Sequence, residues 1–284
     1  MNSLNRPNLF RYLNRCRTPE GGYCYFHDSE SGAGFPNGAD TCWALAAYRF
    51  LGSDPPFLAR TGRWLRDERD RNESVRLSPY LFWLLEGLRL AGVPFSSEDR
   101  DCLVSETARF LDDCTSLSDL PSILEDLAPL LSLRRKSHLP LTEKEKGRLK
   151  DLLDLESEFP RPLPLPGLWT RIILMEASGR FSQEMIAKER SKENEYLHPT
   201  FGYVIVPESS RSDLFVLRSG LLMRKDPLTP FEIQSLKDLL LLCQSRGGGF
   251  GPVGGAIPTL EATSAALELS HLLSCLSPSE EMTL

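Results

Sequence analysis

No stretch of this chain reaches the roughly 18 uncharged apolar residues of a membrane span, because Arg, Lys, Asp or Glu interrupts every leucine-rich run. An integral membrane protein is therefore not expected. Cations are not in surplus either: 33 Lys+Arg stand against 39 Asp+Glu, a formal charge of −6. The basic residues are mixed with acidic ones, as in Arg66-Asp67-Glu68-Arg69-Asp70-Arg71, which argues against a nucleic-acid reader. The N-terminal stretch sets Arg6, Arg11, Arg15 and Arg17 around Leu9, Phe10, Tyr12 and Leu13, but it lacks the apolar run and small-residue cleavage site of a signal peptide. A mature, cytoplasmic N-terminus is the expectation.

Other signatures are also missing. The seven cysteines, an odd number without a CxxC pair, do not form a disulfide framework and suit reduced, buried thiols. There is no P-loop, no Gly-x-Ser-x-Gly, no His-Glu-x-x-His and no strand-glycine-helix dinucleotide motif. With 284 residues, 41 % of them apolar, the chain is long enough for one large domain or two small ones.

What is present is a repeat. Gly21-Gly22-Tyr23 leads through a polar loop to Gly38-Ala39-Asp40-Thr41-Cys42-Trp43-Ala44-Leu45-Ala46-Ala47-Tyr48. Far along the chain, Cys243-Gln244-Ser245-Arg246-Gly247-Gly248-Gly249-Phe250-Gly251 leads through a Gly-Pro loop to Pro258-Thr259-Leu260-Glu261-Ala262-Thr263 and a run of small residues. Both copies read helix, glycine turn, loop, small-residue helix. Between them, helical pairs are expected over Pro56–Arg69 with Ser78–Leu88, Ser97–Asp113 with Ser118–Leu133, Thr142–Leu155 with Leu168–Ala177, and Ser182–Glu195 with Ser212–Met223. Pro230–Cys243 with Leu260–Leu273 makes the sixth pair. Ser118-Asp119-Leu120-Pro121 reads as a cap followed by an early proline, and Thr142-Glu143-Lys144-Glu145 as a capping box.

In each pair the first helix is charged on one side and the second is apolar nearly all round, as for an outer and an inner helix. Six pairs at intervals of about 40 to 50 residues describe an all-α array in which each unit buries its face against its neighbours. Periodicity alone does not separate a closed α/α toroid from an open solenoid. The toroid, with residues 1–284 as one domain, is the architecture expected.

The stretch from Cys243 to Leu267 resembles the repeat of protein prenyltransferase β subunits and class II terpene cyclases, and Gly21 to Gly52 is a looser second match. The resemblance implies an α/α toroid with an apolar central cavity for an isoprenoid. The functional signatures of those families are not matched. The Tyr-His-Thr zinc-ligand motif is absent, as is the DxDD acid motif. Cys24-x-x-His27-Asp28, with Cys16, is the one local cluster with metal-ligand character, and ordinary loop and core roles are its competing reading. No cofactor is assigned, and zinc or magnesium stays open. Asp112-Asp113 is the nearest carboxylate pair and reads as a solvated helix end.

Asp40, Asp213 and Glu261 fall at the starts of expected inner helices, where burial would raise a carboxyl's pKa and make it an acid; capping or ion pairing is the other reading. For a diphosphate, Arg171 on the fourth inner helix and Arg211 before the fifth are the candidates, with Arg218, Arg224 and Lys225 nearby. Arg211-Ser212 resembles the pair that opens a diphosphate-binding helix in farnesyltransferase-type β subunits. Trp43, Tyr80, Phe82, Trp83, Trp169 and Phe215 would line an isoprenoid site, or fill the core. Two functions follow: a prenyltransferase-like or cyclase-like enzyme acting on a prenyl diphosphate, or a non-catalytic toroid that binds a protein partner or lipid. A helical scaffold with a filled centre is the third.

Overall fold

The computed structural model describes residues 4–25, 35–71, 78–113, 120–157, 162–198 and 202–276. Among these the chain is mostly helical: α1 Arg6–Arg15, α2 Gly38–Phe50, α3 Leu58–Arg71, α4 Ser78–Leu90, α5 Ser97–Asp113, α6 Leu120–Lys136, α7 Glu143–Glu156, α8 Leu165–Ser178, α9 Gln183–Ser191, α10 Leu214–Met223, α11 Pro230–Cys243 and α12 Leu260–Leu276. The strands are β1 Leu197–His198 and β2 Gly202–Tyr203, paired antiparallel. The helices of every pair read from the sequence are present, but α9, expected to pair with α10, packs chiefly on α8. The cap expected at Ser118-Asp119 lies outside the described residues.

Caps explain many of the boundaries. Thr142 and Thr229 each close a capping box with the glutamate three residues on, and both helices begin there. Asn37 and Ser182 each accept a backbone N–H of their own first turn. The helix expected to run to Glu195 ends earlier, at Ser191, and tightens into a 3-10 turn over Lys192–Tyr196. That turn buries Glu193 and Tyr196 and delivers the chain into β1.

The even-numbered helices carry the packing. α2 lies against α4, α4 against α6, α6 against α8, α8 against α10, α10 against α12, and α12 against α2. Each of α3, α5, α7 and α11 packs on the even-numbered helix that follows it, while α9 packs on α8. The division follows from composition. In α3 the buried residues Thr61, Gly62, Trp64, Leu65 and Arg69 form one stripe, whereas α12 buries Leu260, Ala262 through Leu267, Leu269, Ser270 and Leu273 around most of its circumference. The helix α2 runs parallel to both α4 and α12. Trp43 of α2 meets Trp83 of α4 at equivalent depth, and Phe50 near the end of α2 meets His271 late in α12.

The repeated turns superimpose bond for bond. In the first, Thr18 N–H donates to Gly22 O at 2.9 Å and Cys24 N–H to Cys16 O at 2.8 Å; in the last, Ser245 N–H donates to Gly249 O at 2.8 Å and Gly251 N–H to Cys243 O at 3.0 Å. Tyr23 and Phe250 are the fully buried centres of these turns, worth about 2–3 kcal/mol each by area. A threonine from the following helix satisfies each centre: Tyr23 N–H donates to Thr41 Oγ1 at 2.9 Å and Phe250 N–H to Thr263 Oγ1 at 3.0 Å.

A third copy, which the sequence did not reveal, surrounds Tyr203. Val204 N–H donates to Tyr196 O at 2.9 Å, and Leu197 pairs with Tyr203 as Gln244 does with Phe250. Leu217 stands here, four residues after the N-cap Asp213, where Thr41 and Thr263 stand after theirs. Gly220 leaves room for the Tyr203 ring, which a Cβ at that position would approach to 2.3 Å.

Because Thr41 and Thr263 are fully buried, Thr41→Val and Thr263→Val should each cost about 1–3 kcal/mol by leaving a buried amide without a partner. Urea midpoints at constant slope measure this. An unchanged midpoint would mean that the hydroxyl does not satisfy that amide.

Candidate functional site

Packing α2 on α12 brings their first turns together, and with them two of the three carboxyl groups singled out in the sequence. Asp40 is 9 % exposed. Its Oδ2 accepts Asn37 Nδ2–H at 2.9 Å and Tyr25 N–H at 3.3 Å. Burial pushes the Asp40 carboxyl up, and those two hydrogen bonds partly restrain it. Solvent reaches the Glu261 side chain, yet the protein around its carboxyl also pushes it up; the charge of Asp40 adds to the rise and Arg218 opposes it. Arg218, on α10, is held by an ion pair with Glu268 of α12.

Asp213 has a different role. Its Oδ1 accepts the N–H groups of Phe215 at 2.8 Å and Val216 at 2.9 Å, capping α10. This is the capping alternative of the sequence reading.

The two arginines proposed for a diphosphate are not equivalent. Arg171 is buried and turned toward α7 and α9: it donates to Leu153 O at 2.9 Å and pairs with Glu156 at 2.5 Å and Glu189 at 3.3 Å. It is an internal clamp between three helices rather than a cation at a rim. Arg211 is exposed, with no ion-pair partner among the described residues. Of the others, Arg224 pairs with Glu232 at 2.7 Å, and Lys225 is exposed.

The aromatic set divides. Trp43 and Trp83 approach at 4.6 Å between ring centroids, and Phe82 and Trp83 at 4.7 Å, so α2 and α4 share one cluster that is only half-buried. Trp43 sits one turn beyond Asp40 on α2. Tyr80 is tied to α3, its hydroxyl donating to Glu68 Oε1 at 2.7 Å. Trp169 lies under the Arg190 guanidinium at 5.8 Å, and Phe215 is half-buried against the core.

The metal-ligand cluster read from the sequence includes His27 and Asp28, which lie outside the described residues. Cys16 and Cys24 are buried, and burial pushes the Cys16 thiol up to about 12. Among the described residues no group of three or more His, Cys, Asp or Glu is placed to hold a metal ion. Asp112 is exposed, 3.9 Å from Lys144.

Sequence reasoning missed the Arg218–Glu268 pair, because its residues lie 50 apart. It also missed Asp126, a half-buried carboxyl on α6 that burial pushes up, with no hydrogen bond or ion pair among the described residues. The signal was a lone carboxyl pair inside the leucine-rich run Leu124-Glu125-Asp126-Leu127. Compared with protein-family models, with curated proteins and with solved structures, the chain finds no match.

Proposed function

We propose that the chain is a single α/α toroid that binds an isoprenoid or similarly long apolar chain among its even-numbered helices, with Asp40 and Glu261 positioned for acid chemistry of the cyclase kind. The sequence of contacts from α2 through α4, α6, α8, α10 and α12 back to α2 supports the ring. The observation that carries the ligand is the Trp43–Phe82–Trp83 cluster: three large aromatic side chains in mutual contact are only half-buried, and Trp43 lies one turn from Asp40. A protonated carboxyl there would give its O–H proton to a double bond, forming a C–H bond and leaving a carboxylate and a carbocation. The indole faces would stabilise that cation until the chain loses a proton again. Cys16, Cys42 and Cys243, buried and not joined in disulfides, support a cytoplasmic setting.

A second reading, a toroid that binds a lipid or protein partner without catalysis, is favoured by the capping role of Asp213 and the internal clamp of Arg171. The test is the thermal midpoint of the full chain with farnesyl and geranylgeranyl diphosphate and with the corresponding alcohols, repeated with zinc, magnesium and chelator. Ligand at a hundredfold over its Kd stabilises by about 2.7 kcal/mol. Stabilisation by any of these chains supports the toroid's ligand; product formation that Glu261→Gln abolishes supports the enzyme. No shift under any condition refutes the isoprenoid reading.

A further inference from the structure

The first glycine turn sets two thiols across its neck. Arg17 and Tyr23 bridge antiparallel, with Thr18 N–H on Gly22 O and Cys24 N–H on Cys16 O, so the register places Cys16 directly opposite Cys24. Opposite residues of an antiparallel pair turn their side chains to the same face, and where their backbones are hydrogen-bonded the Cα atoms lie about 5.5 Å apart. That spacing falls within the roughly 4.4–6.8 Å that disulfides span. Among the described residues, no other bridge or strand pairing sets two cysteines opposite each other.

The other two turns show what the same position holds elsewhere. Gln244 and Phe250 bridge in the same register, which sets Cys243 opposite Gly251. A Cβ on Gly251 would come within 2.6 Å of Ala256 O, which leaves no room there for a second thiol. In the third turn Leu197 pairs with Tyr203, and Tyr196 stands opposite Val204. Of the three turns, the first alone carries a dithiol.

Burial decides which states that dithiol can occupy. Cys16 is 3 % exposed and Cys24 8 %. Burial pushes the Cys16 thiol up to about 12, so a standing thiolate is disfavoured there. Two uncharged states remain, the dithiol and the disulfide, and both suit an apolar site.

We infer that Cys16 and Cys24 are a redox pair: a low-molecular-weight disulfide such as oxidised glutathione converts them, within the folded chain, to one disulfide that staples the neck of the first turn. Cys24, the more exposed of the two, attacks a glutathione sulfur and displaces the first glutathione. Cys16 then attacks Cys24 Sγ in the mixed disulfide and displaces the second. The S–S bond of oxidised glutathione breaks, one forms between Cys16 and Cys24, and both thiol protons end on reduced glutathione. In a reducing medium the pair stays as the dithiol of this structure.

The experiment equilibrates the full chain in buffers of graded reduced-to-oxidised glutathione ratio, quenches with acid, alkylates, and maps the cross-links by mass spectrometry. The same titration is run in concentrated urea. The expected result is a Cys16–Cys24 cross-link whose equilibrium constant is about tenfold or more larger in the folded chain than in urea, because the turn already holds the two residues opposite each other. By linkage the oxidised chain then melts at a higher temperature than the reduced one, and Cys24→Ala removes that difference while Cys275→Ser keeps it. A native chain with no Cys16–Cys24 cross-link at any ratio, one that stops at the mixed disulfide, or a constant no larger than in urea overturns the pair. Oxidation that lowers the thermal midpoint overturns the staple. The mapping needs no variant, so it decides the matter even where Cys24→Ala fails to fold.

Discussion

Gly248→Ala destabilises the protein by about 3 kcal/mol or more, the sum of backbone strain and overpacking. The residue sits at φ +105°, where an L side chain is strained, and a Cβ there would come within 2.0 Å of Asn8 O and 2.2 Å of Asn8 C. Those are backbone atoms of α1, which cannot rotate aside as a flexible side chain can. The neighbouring Gly247 is the control. It is exposed, and a Cβ there would meet the far end of the Arg15 side chain at 3.0 Å and Ser245 Oγ at 3.6 Å, neither of them backbone, so Gly247→Ala should cost no more than about 0.5–1 kcal/mol. Urea melts of both variants decide the matter: equal losses would show that neither the left-handed backbone nor the approach of α1 sets Gly248 apart.

Arg171→Ala is the second large effect, about 3–5 kcal/mol, because it strands two partly or fully buried glutamates without their cation. Burial already pushes the Glu156 carboxyl up in spite of the adjacent guanidinium, so the unpaired group would take a proton. Combining Arg171→Met with Glu156→Gln, which removes charge from both sides, should recover at least half of the loss, since a buried ion pair is worth little more than a well-packed uncharged replacement. Denaturant unfolding of the single and double variants measures this. An Arg171→Ala protein as stable as its parent would return this residue to the list of free cations and revive the diphosphate site.

These two residues also show how far the sequence could be read. Helix positions were legible because they depend on local chemistry: Ser97–Asp113 and Pro230–Cys243 appear with the expected limits, and Thr142 caps with Glu145 as its spacing implies. The glycine turns were legible because Gly248 and Gly21 have to take positive φ. Arg171 was not, since its role depends on which side of α8 faces α7 and α9, and a period of 3.6 residues does not set the rotation of a helix that is apolar nearly all round. The turn around Tyr203 was hidden for a different reason. Gly202 stands where Gly22 and Gly249 stand, but Leu217 replaces the threonine, so hydrogen bonds persist after the recognisable letters have gone. Asp40 and Glu261 were both chosen from their position at helix starts, and their proximity followed only once α12 was seen to pack on α2.

That same contact governs how the molecule comes apart. The turn after α11 receives Asn8 Nδ2–H on Arg246 O at 3.4 Å and an Arg15 guanidinium N–H on Gly247 O at 3.2 Å, contacts separated by more than 230 residues of chain. A linear array of helical pairs can unravel from either end, one unit at a time, with its middle intact. Here the earliest and latest units brace one another, so loosening either exposes both, and partial unfolding has no cheap starting point. Assembly has the converse difficulty: the bracing surfaces meet only after a very long loop has closed, which predicts slow folding and a single sharp transition with no stable half-molecule.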